Sequence, residues 1–333
     1  MSADLPDVNE LLQHAHVVTL PLKVKFRGVT QREVMLIEGP AGWGEFSPFL
    51  EYGPAEAARW LQAGIEAAYR PFPEPRRQQI PVNATLPAVP ADQVEQVLSN
   101  YDDPHTIKIK VAEGGQSLSD DLARVRRARE LFPTAALRVD ANAGWTHEQA
   151  LAALEQLSEF DLQYAEQPVP GIHGLAELRA ALRQRGISLK IAADEAVRKH
   201  DDPLEVSRLG AADLMVIKAQ PLGGIAAVLE IARQARLDVV VSSALDSSVG
   251  LAQAAALAAT LESLPYACGL STGSLFERDV TGEPLHATAG YLPVRRVAPD
   301  RSLLNAYRAE PERERWWQHR LIRCHEEFHR SVN

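Results

Sequence analysis

The sequence predicts an α/β fold: a (β/α)7β-type TIM barrel preceded by a small N-terminal α+β domain. Three observations predict it. Five apolar, β-like runs each close on a charged residue, and successive charged residues lie roughly 25–30 positions apart, the length of one strand plus one crossover helix. Strand-like segments near residues 82, 108, 138, 164, 190, 216, 240 and 268 alternate with helix-like ones. A proline-rich break, RPFPEPRRQQIP, separates this alternation from an N-terminal stretch with another pattern.

In chain order, residues 15 to about 50 read as β in VVTLPLKVKF, REVMLIEG and GWGEFSPF, with Gly28 and the Gly39-Pro40 pair as turn punctuation. Pro54 then opens AEAARWLQAGIEAAY, whose apolar residues fall at helical spacing. The expected divisions are 1–78 for the α+β domain, 79–292 for the barrel, and 293–333 for a C-terminal segment packing back on the first domain. Within the barrel, helical periodicity marks Ser119 to Leu131, Thr146 to Leu157, Leu175 to Arg185, Gly223 to Arg236 and Ser248 to Leu261. Thr146 with Gln149 makes a capping box, whereas Ser119 reads as a plain cap. Regular βα alternation gives parallel strands with right-handed crossovers, in an open sheet or a closed barrel. Closure is favoured because it alone brings the polar strand ends around one axis. Trp316 and Trp317 are expected to anchor a terminal helix.

The chain's 333 residues are 46% hydrophobic and 24% charged, ordinary for a globular protein with a sizeable core. A formal net charge of -9 argues against nucleic acid or an anionic membrane as partner. An anionic small molecule stays admissible, because a divalent cation would reverse the local field. Cys268 and Cys324 are not paired by spacing, which suits a reducing compartment. The start MSADLPDVNELLQ lacks a basic region followed by a long apolar one, and the stretch from Gly250 to Leu261 is too short for a bilayer, so a cytoplasmic location is expected.

The five runs are TIKIK ending on Lys110, LRVDAN with Asp140, LQYAEQP with Glu166, LKIAADE with Asp194, and LMVIKAQ with Lys218. A charge where a buried strand ends is expensive unless it is paired or metal-bound. Any one of the three acids alone could be a helix cap or a loop acid. Three at matched strand ends point into one cup, and oxygen-only ligands suit Mg²⁺ or Mn²⁺ rather than zinc. Lys108 and Lys110 alternate with Ile107 and Ile109, so both face one side of the strand, the barrel interior. Solvated lysines on an edge strand are the plainer reading of that run alone; Lys218, across the barrel, shifts the balance. Lysines bracketing a cation are expected to have depressed ammonium pKa values, which suits proton transfer.

Asn142 and Gln167 stand beside the acids and are expected to orient them; Glu195, beside Asp194, is expected either to do the same or to be a bystander. Ser242 and Ser243, in a serine-rich loop with Asp246, are candidates to bind a substrate carboxylate, as are Ser271, Thr272 and the Gly273 backbone N–H. Capping of the following helices is the equal alternative. His325, Glu326 and His329 spell H-E-x-x-H, a zinc-hydrolase pattern, which near the chain end reads as a solvated helix face.

Taken together, KIK, VDAN, EQP, ADE and the segment from Lys218 to Gly223-Gly224 resemble the enolase superfamily, specifically its muconate-lactonizing-enzyme-like subgroup. The resemblance covers nearly the whole chain and makes the N-terminal α+β unit a capping domain. It implies Mg²⁺ or Mn²⁺ on Asp140, Glu166 and Asp194, and a small-molecule carboxylate as substrate. It also implies that Lys110 abstracts the α-proton, with Lys108 tuning it and Lys218 opposite, stabilising an enediolate. Phe46, Ser47 and Tyr52 would then lie over the barrel mouth and exclude water. FRGVTQRE (with Arg27 and Gly28), GWGEFSPF, VNATLPAV and SSALDSSVG are similar to the branch that dehydrates a cyclohexadiene carboxylate. The chain reads CGLSTGSLF where the dipeptide epimerase branch usually carries D-x-D, which disfavours binding of an α-ammonium group. Racemisation of N-succinylamino acids and muconate cycloisomerisation stay open. So do two readings of other classes, a Schiff-base aldolase using Lys218 and a barrel without catalysis.

Overall fold

A computed structural model describes residues 6–26, 28–198 and 202–332. Arg27, quoted in FRGVTQRE, lies outside them. The short helix α1 (Val8–Gln13), capped by the Asp7 carboxylate, leads into β1 (Ala15–Phe26), β2 (Val29–Gly39) and β3 (Gly42–Phe46), an antiparallel sheet in that order. Helix α2 (Pro54–Tyr69) starts on its proline and buries Trp60, Leu61 and Ile65. Strand β3 and α2 meet backbone to backbone. A Cβ on Gly44 would stand 1.9 Å from the Gly64 carbonyl oxygen, so no side chain is tolerated there.

After β4 (Gln79–Pro81), seven parallel strands follow: β5 (Ala84–Leu86), β6 (Thr106–Lys110), β7 (Ala136–Asp140), β8 (Leu162–Glu166), β9 (Ile191–Ala193), β10 (Leu214–Ile217) and β11 (Asp238–Val241). They are hydrogen-bonded in chain order from β5 to β11. The eighth position is filled by a two-residue bridge rather than a strand. Cys268 pairs with Val82, and Gly269 with Ser242, both in parallel. The Cys268 amide donates to the Pro81 carbonyl at 2.7 Å and the Gly269 amide to the Val241 carbonyl at 2.8 Å, so this segment joins the two edges of the sheet. CGLSTG has too few β-branched residues to extend the pairing.

The connecting helices are α3 (Val94–Leu98), α4 (Leu118–Leu131), α5 (His147–Leu157), α6 (Ile172–Gln184), α7 (Glu195–Arg198), α8 (Glu205–Arg208), α9 (Ile225–Ala235) and α10 (Ser248–Thr260). Thr146 caps α5 in the expected box with Gln149. The cap of α4 is Ser117 and not Ser119; with Asp120 it makes a second capping box, because Asp120 can return a bond to the Ser117 amide and Leu122 cannot. Helix α6 begins three residues before the expected Leu175, on Gly171 at φ 71°. Strands β9 and β10 stop one residue short of Asp194 and Lys218, leaving both just past the ladder.

Tyr164, Ala192, Leu214, Val216, Val240 and Tyr266 form a separate buried cluster. The first five stand two or four positions before Glu166, Asp194, Lys218 or Ser242. Period two thus stacks an apolar plug beneath a polar rim. Past the barrel, β12 (Tyr291–Pro293) pairs antiparallel with β4, and α11 (Arg301–Ala306) and α12 (Pro311–Val332) return to the N-terminal unit. Trp317 meets Phe46 edge-on at 5.6 Å. That contact corrects the expectation for Phe46, which packs inward against the terminal helix instead of shielding the barrel mouth. Among the described residues, no helix is long and apolar enough to cross a membrane.

Candidate active site

The site is built at the carboxyl ends of β6 to β10. Period two turns Lys108 and Lys110 to the same side, and both ammonium groups reach the buried carboxylate of Asp140 on the neighbouring strand, Lys108 at 2.9 Å and Lys110 at 2.5 Å. Lys108 also donates to Glu166 Oε1 at 3.0 Å, bridging two strand ends. Across the barrel, Lys218 donates to both oxygens of Asp194. All six residues are buried, the three lysines 7–9% exposed and the three acids 1–2%. The ring of Phe26, at the tip of β1, lies 5.8 Å from the Lys110 ammonium. The cleft above these groups is lined by Phe26, Lys108, Lys110, Asp140, Asn142, Asp194, Lys218, Ser242, Ser243 and Thr272, among others.

At Asp140, Asp194 and Lys108 the neighbours outweigh burial, and at Glu166 and Lys110 they do not. For Asp140 burial opposes ionisation, but Lys108 and Lys110 outweigh it and hold the carboxyl well below the usual range. Asp194 is likewise lowered against its burial by Lys218 and Arg198. Glu166 goes the other way, pushed up to about 7 by burial and by the nearby charge of Asp140. The two lysines of β6 also diverge. Lys108 is raised despite its burial, because Asp140 and Glu166 both face it. Lys110 is lowered, by burial first and by repulsion from Lys108 among its neighbours. Of the two lysines expected to bracket the cation, Lys110 is lowered, whereas Lys108 beside it sits between two carboxylates and goes the other way.

Among the described residues, no three of histidine, cysteine, aspartate and glutamate are gathered as ready ligands for one metal ion. Asp140, Glu166 and Asp194 share one end of the barrel, yet each is drawn to a lysine that supplies its countercharge. The donor chemistry nevertheless fits a hard divalent cation. The three carboxylates are buried oxygen donors on adjacent strands, and a cation would offset both the burial and the charge of Asp140 that raise Glu166.

The residues beside the acids brace the site in different ways. Asn142, at φ 45°, accepts from Lys110 Nζ at 2.6 Å and donates to Glu195 Oε1 at 3.2 Å. Of the three strand-end acids it touches Asp140 alone, through its backbone N–H at 3.0 Å. The Gln167 side chain bonds backbone instead of a carboxylate: its oxygen accepts from the amides of Asp194 and Ala196, each at 3.0 Å, bracing the backbone where β9 ends. Glu195 faces Arg198, a residue that sequence reasoning missed. Arg198 pairs with both Glu195 and Asp194, and helical i, i+3 and i, i+4 spacing was the signal that could have found it.

In the serine-rich loop, Ser243 Oγ lies 2.6 Å from Thr272 Oγ1, and Ser242 approaches the Gly269 carbonyl. Ser271 and Gly273 do not border the cleft; Ser271 precedes a 3-10 turn, and a side chain at Gly273 would run into Leu251 and the Leu285 carbonyl. Ser47 is buried against Glu45 and Gln220, and the Tyr52 hydroxyl accepts from Arg198 at 3.0 Å. Asp246 accepts from Gln220 at 3.0 Å and does not border the cleft. In the H-E-x-x-H pattern, His325 is buried with Nε2 3.0 Å from the Pro6 carbonyl, not solvated, because α12 turns that face toward the N-terminal segment. Glu326 faces Arg330, and the His329 side chain lies outside the described residues.

Comparison with known proteins follows the same outline. Residues 91–300 match the family described as enolase C-terminal domain-like, and residues 17–68 the one described as enolase N-terminal domain-like. The chain is 52% identical over 322 residues to the o-succinylbenzoate synthase of Mycobacterium leprae, covering 96% of this chain and 94% of that protein. It is 51% identical over 322 residues to the enzyme of the same name from Mycobacterium tuberculosis, covering 96% of each. Among solved structures, a muconate lactonizing enzyme from Pseudomonas fluorescens superposes with a TM-score of 0.75 at 21% identity, over 89% of this chain and 98% of that one. That likeness concerns the fold.

Proposed function

The chain belongs to the enolase superfamily, and from that premise we propose that it catalyses the reaction its mycobacterial relatives are named for, o-succinylbenzoate synthesis. The reaction is the syn-dehydration of 2-succinyl-6-hydroxy-2,4-cyclohexadiene-1-carboxylate to 2-succinylbenzoate, a hydro-lyase step of menaquinone biosynthesis. The full-length likeness to those synthases supports the choice of substrate. One geometric observation carries the reaction type: two lysines on well-separated strands flank a single cleft, each beside its own carboxylate.

The hard step is removal of a proton α to a carboxylate. Lys110, as the free amine, takes that proton, and the C–H electron pair passes into the carboxylate to give an enediolate. The lowered affinity of Lys110 for its proton keeps the free amine accessible, and Lys108 contributes by repulsion. The Lys110 ammonium then returns the proton to the hydroxyl leaving the same ring face. Water departs with the C–O bonding pair and the ring becomes aromatic. Lys218, on the opposite side, faces the developing negative charge as an ammonium donor. A divalent cation held by Asp140, Glu166 and Asp194 would supply a Lewis acid for the substrate carboxylate. Asn142 fixes the Lys110 head, and Phe26 shields it from water.

A racemase of N-succinylamino acids would use both lysines in turn as acid and base, whereas dehydration on one face needs only one. The test incubates purified protein and Mg²⁺ with the cyclohexadiene substrate and, separately, with a single enantiomer of an N-succinylamino acid. Formation of 2-succinylbenzoate without racemisation is the expected result. Racemisation with no aromatic product would overturn the proposal.

A further inference from the structure

The structure ties the N-terminal unit to the base by an unbroken line of hydrogen bonds. The Arg198 Nη1 group donates to the Tyr52 hydroxyl at 3.0 Å, and Nη2 donates to Glu195 Oε1 at 2.8 Å. Asn142 Nδ2 donates to that same Oε1 at 3.2 Å, and Asn142 Oδ1 accepts from Lys110 Nζ at 2.6 Å. Tyr52 and Arg198 are 7% and 4% exposed, so water does not readily replace either partner.

A primary amide has two faces of opposite polarity and nearly equal shape. Turned one way, Asn142 offers an oxygen to Lys110; turned the other, it offers N–H groups that repel an ammonium and pull a free amine out of line. Its backbone cannot choose between them, being held in the left-handed region by the bond from its own N–H to Asp140. The choice falls to Glu195 Oε1, an acceptor that only the Nδ2 side can satisfy. Glu195 is in turn kept in place by Arg198, which spans Glu195 and Asp194, the latter at 3.3 Å from Nε. Tyr52 holds the outer end of the guanidinium.

We infer that Tyr52 and Arg198 are positioning residues for the reaction. Acting through Glu195, they fix the amide polarity of Asn142 and thereby the location of the Lys110 amine, so seating of the residue 46–53 segment is felt at the reacting atom. The inference rests on the reading of Lys110 as the base.

Tyr52→Phe removes the hydroxyl and keeps the ring contacts with Phe49 and Trp60. In otherwise native protein it is expected to lower kcat about three- to ten-fold with KM within about two-fold, and to raise the kinetic isotope effect with α-deuterated substrate, as a slightly misplaced base should. In an Asn142→Ala background the same substitution should have no further effect, since the amide it acts through is gone. Glu195→Gln, which still presents an oxygen to Asn142 and Arg198, should recover most of the kcat lost in Glu195→Ala. A Tyr52→Phe effect that persists undiminished in Asn142→Ala, or that appears in KM alone, would overturn the inference. Lys110→Ala distinguishes the two layers. If it abolishes dehydration while the cycle is additive, only the positioning role falls. If it retains the native rate, the base assignment falls and this inference with it.

Discussion

Two groups of carboxylates carry charge inside this molecule, and they are neutralised in opposite ways. At the strand ends, Asp140, Glu166 and Asp194 face the ammonium groups of Lys108, Lys110 and Lys218. Where the N-terminal unit and the last loops meet the barrel, Glu45, Glu66 and Asp279 face backbone amides at helix N-termini. At α10, the Ser248 amide donates to Asp279, the Val249 amide to the Ser247 hydroxyl and the Gly250 amide to Glu45, so the first turn is fully satisfied. At α9, the amides of Ile225 and Ala226 donate to Glu66. An amide cannot leave its acid unless the helix unwinds, whereas an ammonium on a four-carbon stem can swing away. The difference separates a weld from a site: the second group of acids is locked to its donors, whereas the first, on the function proposed above, would exchange its countercharge for a cation and a substrate.

The sharpest way to break that comparison is to remove one member from each group. Lys110→Ala should lower kcat by at least about a thousand-fold, within the range general-base removal produces, while the urea midpoint stays close to native. Glu45→Ala should do the reverse. It strands Ser47, Gln220, Ser247 and Gly250 donors in a buried place, for a loss of about 2–3 kcal/mol in unfolding free energy, while the folded fraction keeps most of its kcat. Paired kinetics and urea denaturation would read both. An inactive but fully stable Glu45→Ala would erase the distinction.

A smaller effect sharpens it. Asp246 belongs to neither group: it accepts from Gln220, and burial together with the charge of Glu45 pushes its carboxyl up to about 7. The folded protein therefore favours the protonated acid more than the unfolded chain does. Stability from this source is fully present below the ordinary aspartate value of 3.8 and is lost as pH rises through about 7. Asp246→Asn should accordingly raise Tm by a few degrees at pH 8 and leave it nearly unchanged at pH 4, as thermal denaturation across that range would measure.

The parts of this design that repeat were legible in the sequence. Period two placed Lys108 and Lys110 on one face, and matched strand ends brought Asp140, Glu166, Asp194 and Lys218 to one rim. Long-range contacts were not legible. Nothing in the strings around Glu45 or Glu66 says which helix they cap, because the partners lie about two hundred and one hundred and sixty residues away. Arg198 was hidden for another reason, since a basic residue after a strand end is ordinary until its i, i+3 and i, i+4 acids are known to be buried. The eighth strand was expected from its place in the repeat and is present only as a bridge, since register was readable and strand length was not. Amide polarity at Asn142 depends on a neighbour's acceptor, which no local pattern encodes.

The central claim is that the strand-end acids, unlike the helix-capping ones, are open to a cation. Isothermal titration of the purified protein with Mg²⁺ tests it most directly, comparing the native chain with Asp194→Ala and with Glu66→Gln. One equivalent bound by the native protein and by Glu66→Gln, and none by Asp194→Ala, is the predicted result. No saturable binding by the native chain, or binding that survives Asp194→Ala unchanged, would contradict it.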